Sequence, residues 1–189
     1  MTHENSPHTG HIRGERAGDH TMDNPLDVIA EDHMREREVC ALIEGFVSGT
    51  ALSGSDLEMM TRFLWTELPK HLEDEEEDLF PLLLKRCAPE DEIGKVVEKL
   101  LSDHEHAFND GTGIGSLLES HCHAPERLSA RERAQLTDFA NHARRHLILE
   151  NAVVLPIARV RLTSDDLQGM WQRMQARRGG SISSEGRTC

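Results

Sequence analysis

Tyrosine is absent from this 189-residue chain, and aromatic residues of every kind make up only 4% of it. A phenol is both hydrogen-bond donor and acceptor, and oxidative chemistry on an organic substrate commonly uses one, so its absence argues against an oxygenase. A cationic face is lacking too. Lys and Arg number 21 against 34 Asp and Glu, for a formal net charge of −13. That excludes nonspecific attachment to nucleic acid or to an anionic membrane. No apolar run reaches the length of a membrane span, and the first residues lack the apolar core of a secretory signal. The four cysteines, Cys40, Cys87, Cys122 and Cys189, form no Cys-x-x-Cys pair. They read as reduced thiols of a cytoplasmic protein. The length suits one domain with tails.

What the chain has instead is histidine, 12 in all, and a repeat. His71-Leu72-Glu73-Asp74-Glu75 leads to Leu79-Phe80-Pro81, and His146-Leu147-Ile148-Leu149-Glu150 leads to Val154-Leu155-Pro156. On a helix, residues four apart differ by about 40° in azimuth, so each His faces the same way as its Glu. The repeat is wider than these stretches. Asp32-His33 precedes the first by 38 residues, His to His, and Asp103-His104 precedes the second by 42. The chain is thus two tandem helical hairpins, each carrying one lone His and one His-x-x-x-Glu.

Taken in order, residues 1–22 are polar and aperiodic, with His3, His8, His11 and His20, and read as a disordered tail. Asp23-Asn24-Pro25 starts the first helix, whose stripe Leu26, Ile29, His33, Cys40, Ile43, Val47 runs to about Ser48-Gly49. Ser53 to Asp56 opens a second helix with Leu57, Met60, Leu64, Leu68, His71, Glu75, Leu79 and Leu82 inward. Pro69 should kink it. The charged run Glu73–Asp78 reads as a solvated face, except Glu75, which shares the stripe of His71. The third helix carries Ile93, Val96, Leu100, His104 and Ala107, and Gly111, Gly113 and Gly115 should fray or break it. His121-Cys122-His123 follows as a loop. Ser129 with Glu132 forms a capping box for the fourth helix, through Leu136, Phe139, Ala143, His146, Glu150, Val153 and Ile157. Pro81 and Pro156 should bend or end the helices that bear the motifs. Four amphipathic helices on short links predict an all-α, up-down-up-down four-helix bundle over 23–162. A short amphipathic helix over 163–178 and a loose 179–189 tail complete the chain.

This arrangement sets four histidines and two glutamates at one depth in the core. An unpaired carboxylate there costs more than a fold can spare, and no Lys or Arg shares the stripes. Protonated imidazoles are one compensation. A pair of divalent cations is the other, with neutral imidazoles as ligands, and the symmetry of the repeat favours it. The candidate ligands are His33, His71, Glu75, His104, His146 and Glu150, two histidines to each metal and the glutamates bridging. His and carboxylate without thiolate favour iron, with manganese as the alternative, over structural zinc. His142, one turn before His146, is either a fifth histidine ligand or, the favoured reading, a helix-surface residue or a donor behind the ligands, and His106 reads as solvent-facing. Asp32 and Asp103 read as helix-surface charges, and the His121–His123 loop as a minor candidate for a surface metal.

His33, the His71/Glu75 pair, His104 and the His146/Glu150 pair, with their following prolines, resemble the hemerythrin-like, HHE cation-binding family over about residues 24–160. The resemblance implies a four-helix bundle holding a non-haem di-iron centre bridged by carboxylates and an oxo or hydroxo group. The oxygen-carrying members have a further histidine where this chain has Phe108. They also place an Asp five residues after the fourth-helix His, where this chain has Glu150 at a spacing of four. Four histidines and two glutamates imply an open position on both irons. That is closer to the di-iron proteins that repair iron–sulfur clusters than to the carriers, although the separate Cys-containing N-terminal domain of many of those is missing. The implied activity is binding of, or reaction with, a small diatomic ligand (O2 or NO) or peroxide. Whether turnover occurs is left open; a sensing module without turnover and a metal-free helical interaction protein are the alternatives.

Overall fold

The computed structural model describes residues 24–179, which form helices joined by short links and contain no strand. The expected tails therefore lie outside the described residues, apart from Gly179. Helix α1 spans Pro25–Val47, with the Asn24 side chain accepting the Leu26 amide at its start. Helix α2 covers 54–86 and opens on a reciprocal cap between Ser53 and Asp56. Helix α3 is Ile93–His121, α4 covers 130–161 behind the Ser129–Glu132 capping box, and α5 is Ser164–Gly179. These caps satisfy amide donors that a helix start leaves without partners.

The prolines do not end the helices. Ahead of each one the helix widens into a π-turn: Phe63–Glu67 before Pro69, Glu75–Leu79 before Pro81, and Glu150–Val154 before Pro156. The residue preceding each proline donates five residues back, Leu68 to Phe63, Phe80 to Glu75 and Leu155 to Glu150. A proline ring has no amide hydrogen and crowds the carbonyl four residues earlier. The wider turn relieves the clash and lets the helix continue. Two of the three π-turns begin on the motif glutamates.

The glycine run does not break α3 either. Its reason is tertiary. A Cβ on Gly115 would lie 2.4 Å from Nε1 of Trp65, so the bare backbone makes room for an indole from α2. Packing against the neighbouring helices overrides the low helix propensity of glycine.

The apolar core is in two parts. One contains Val39, Ile43, Phe46, Leu64, Leu68, Ile114, Leu118, Leu136 and Phe139. The other contains Leu26, Ile29, Leu79, Leu83, Leu100, Val154, Ala158, Met170 and Met174. Each of the four long helices crosses from one cluster to the other, and successive helices do so in opposite senses. Helix α1 packs on α2 and α4, and α3 packs on the same two. Between the clusters lies a buried polar layer: His33 on α1, His71 and Glu75 on α2, His104 on α3, His146 and Glu150 on α4.

Helix α5 packs on α1 and α2. Met170 and Met174 insert into the second cluster, and Asp166 receives Arg86 at 2.7 and 2.9 Å. Its last turns carry a clamp. Arg177 reaches Asp74 at 2.7 Å and also pairs with Asp78, which Arg173 pairs with too, while Arg178 bridges Asp74 and Asp32 at 2.8 and 2.6 Å. Asp74 and Asp78 are therefore buried, contrary to the expected solvated face. That expectation followed from α2 alone, and the charges that bury them arrive from about 100 residues away.

Candidate metal centre

The four imidazoles aim the same atom inward. Nε2 of His33 lies 3.1 Å from Oε2 of Glu150 and 3.5 Å from Oε1 of Glu75. Nε2 of His71 is 3.5 Å from Oε2 of Glu75, and Nε2 of His104 is 3.4 Å from the same oxygen. Nε2 of His146 is 3.1 Å from Oε1 of Glu150, with Nε2 of His104 at 3.9 Å from it. The rings pair off, His33 with His71 at 5.1 Å and His104 with His146 at 4.9 Å between centroids.

None of these inward atoms has a hydrogen-bond partner among the described residues. The four Nε2 atoms and all four oxygens of Glu75 and Glu150 are buried and unsatisfied. A core leaves so many polar atoms orphaned in one place only where something else fills their needs. They resolve into two groups whose ligand atoms lie within 4.8 Å of one another: His33, His71, Glu75 and Glu150, and Glu75, His104, His146 and Glu150. Both glutamates belong to both groups. Neutral imidazole and carboxylate oxygen at these separations suit first-row divalent ions, so the donor set fits a pair of them. The structure brings together all six side chains singled out from the sequence.

Without a cation the carboxylates favour protons on His33, His71 and His146. Burial alone would lower the pKa of His33, but Glu150 and Glu75 outweigh it and lift it to about 10. His146 is raised to about 9, against burial, chiefly by the negative charge of Glu150 beside it. His71 is likewise raised against burial, by Glu75 and then Asp32. Glu150 is held well below the usual carboxylate range, against burial, by His146, His104 and His33. Each proton must leave before that nitrogen can bind a metal.

Behind the inward ring lies a second one that the sequence reading misplaced. Asp32 and Asp103, expected on helix surfaces, are buried. Oδ2 of Asp32 faces Nδ1 of His71 at 3.6 Å, and Oδ2 of Asp103 faces Nδ1 of His146 at 4.0 Å. Asp32 sits at a pKa of about 2 because His71 and Arg178 overcome the cost of its burial. Glu76 accepts from Nδ1 of His104 at 2.8 Å, and Asn151 lies 3.0 Å from Nδ1 of His33. The repeated Asp-His dipeptides were the available signal for Asp32 and Asp103. Azimuth alone set them aside, because the partner ring is on a different helix. His142 is half-buried with Nε2 3.5 Å from Asp103, whereas His106 is exposed and bonds its own helix carbonyl at Ser102. His121, Cys122 and His123 join no metal-competent group among the described residues.

Glu36 is a further buried carboxyl near the centre. It stands one turn beyond His33 and helps to line a cavity of about 10 Å³ with His104, His142 and His146, room for about one water. Burial raises its pKa. On the other side of His104 a cleft of about 590 Å³, walled by Glu73, Glu76, Glu77 and Glu105, opens to solvent. Small solutes therefore reach the edge of the centre along an acidic wall.

A family model, the hemerythrin HHE cation binding domain, matches residues 24–158. The chain belongs to that family. The HHE domain match takes in α1 to α4 as far as the turn after Pro156, and all six inward side chains fall inside it. No curated protein matches the chain significantly. Membership implies metal-ion binding, and the two His/Glu groups are where a metal could be held. No helix among the described residues is long and apolar enough to cross a membrane.

Proposed function

We propose that the HHE domain holds two non-haem iron ions, with manganese as the alternative metal. His33 and His71 would serve one position, His104 and His146 the other, and Glu75 and Glu150 would bridge them. What carries this reading is the eight orphaned atoms, shared evenly between two groups. The four long helices are read as an up-down-up-down bundle, a reading supported by their pairing and their alternating passage between the two core clusters.

Four protein donors per metal leave room for a further ligand at both positions. When bound, a di-iron pair supplies redox change and Lewis acidity toward dioxygen, peroxide or nitric oxide. The chain's own part is to aim four imidazole Nε2 atoms inward, to keep two carboxylates dry, and to admit small ligands past Glu76 and His104. We place this activity in the cytoplasm, in oxidative or nitrosative stress response or sensing. Iron–sulfur cluster repair is a related reading, resting on the same four-His, two-Glu set.

Rapid mixing of the di-ferrous protein with each oxidant tests the proposal. A spectral change with at least one of the three is expected, and none with any of them overturns it. A second reading, in which metal occupancy sets fold stability without turnover, is supported by the buried carboxylates. It requires a large fall in melting temperature on metal removal, and an unchanged melting curve would dismiss it.

A further inference from the structure

The inner donor set is symmetric, but what stands behind it is not. Because every Nε2 points inward, every Nδ1 points outward, and its partner tunes the ring as a donor. The two hairpins supply these partners from equivalent places. The residue before each lone histidine, Asp32 or Asp103, faces the Nδ1 of the His-x-x-x-Glu histidine of its own hairpin. The residue after each shared glutamate, Glu76 or Asn151, meets the lone histidine of the other hairpin. At that second place one half has a carboxylate and the other an amide.

Charge beyond these partners deepens the difference. Asp32 pairs with two guanidinium groups, Arg35 and Arg178, which it shares with Glu67 and Asp74, so the carboxylate behind His71 has two cations beside it. Asp103 pairs with one ammonium, Lys99 at 2.6 Å, and faces His142 at 3.5 Å, while Glu76 adds a further carboxylate on the His104/His146 side. Asn151 also works against its histidine. Its Nδ2 donates to the carbonyl of Leu147 at 2.7 Å and is the atom nearest Nδ1 of His33, at 3.0 Å, so the amide as placed offers no acceptor to a hydrogen on that nitrogen. A metal on Nε2 requires a hydrogen on Nδ1, and the amide would have to turn over and lose its bond to Leu147.

From this asymmetry, and resting on the di-metal reading above, we infer that the two metal positions are inequivalent. The position served by His104 and His146 binds first and more tightly, and it favours the higher oxidation state. Glu76 is the positioning residue that creates the difference, by accepting from Nδ1 of His104 and adding negative charge.

The test is anaerobic titration of the full chain with Co2+, followed by its visible bands and by chelator competition. The wild type should bind in two resolved steps. Glu76→Gln should weaken the tighter step about 10- to 100-fold and leave the other in place. Asn151→Asp should strengthen the weaker step and bring the two together. His146→Ala should remove the tighter step and His71→Ala the weaker one, which assigns each step to its histidines. Circular dichroism of each apo variant shows whether it is folded; Asn151→Asp, a gain, stands even if Glu76→Gln folds poorly. If Glu76→Gln and Asn151→Asp leave both steps unmoved, or shift both equally, the inference is wrong. A wild type that binds fewer than two ions would instead defeat the reading on which it rests.

Discussion

Loading the centre with metal should expel at least two protons at neutral pH. In the cation-free protein His33 is lifted to about 10 and His146 to about 9, by the same carboxylates that would bridge the metals. Both rings are therefore protonated at pH 7.5, and both must be neutral to offer Nε2 to an ion. Each proton is worth about 1.36 kcal/mol per pH unit, so two make overall two-metal affinity rise about 100-fold, or about 2.7 kcal/mol, per unit between pH 7 and 9. The folding side has the opposite sign. A histidine raised above its unfolded value stabilises the apo protein fully below that value, and the contribution disappears as pH climbs through 9 to 10. Apo stability should fall across that window while the stabilisation brought by metal grows. Calorimetric titration in buffers of different ionisation enthalpy counts the protons released. No release, with affinity flat from pH 7 to 9, would mean that the imidazoles are already neutral and would refute the electrostatic argument.

Four other substitutions have definite expectations. Arg177→Ala leaves buried Asp74 and Asp78 each with one guanidinium fewer, and should cost about 2–3 kcal/mol, or about 5–10 °C of melting temperature; an unchanged melt would mean the α5 clamp adds nothing. Gly115→Ala drives a methyl into Trp65 and should cost about 1–3 kcal/mol with a shift in tryptophan emission. Gly113→Ala, whose Cβ would meet only the end of Gln135 at 3.5 Å, should gain about 0.5–1 kcal/mol, and equal effects of the two would contradict the packing argument. Glu36→Gln should stabilise the apo protein in urea at pH 8 and much less at pH 4. A buried acid with a raised pKa is costly only where its unfolded form would ionise, so equal effects at both pH values would count against that burial.

The six inward side chains were legible because they break a pattern. Along four apolar stripes, His33, His71, Glu75, His104, His146 and Glu150 are polar residues where the helical period calls for apolar ones. Their equal depth followed from the repeat. What escaped notice depends on which helix lies opposite. Asp32 and Asp103 look like surface charges until the neighbouring helix brings an Nδ1 to each. Asp74 and Asp78 look solvated until α5 docks its arginines on them. The glycines of α3 promise a break because propensity is local, whereas Trp65 comes from α2. The prolines carried a half-right signal: they do disturb the helices, but the disturbance is absorbed one turn earlier, at Glu75 and Glu150 for the two that follow the motifs.

The central claim is that two buried His/Glu groups hold two irons. Elemental analysis of the protein after anaerobic loading, with an optical spectrum in air, tests it most directly. Two irons per chain are expected, one for each group, with near-ultraviolet charge-transfer bands. Failure to retain iron, by a protein shown to be folded, would contradict it and leave eight buried polar atoms without an explanation.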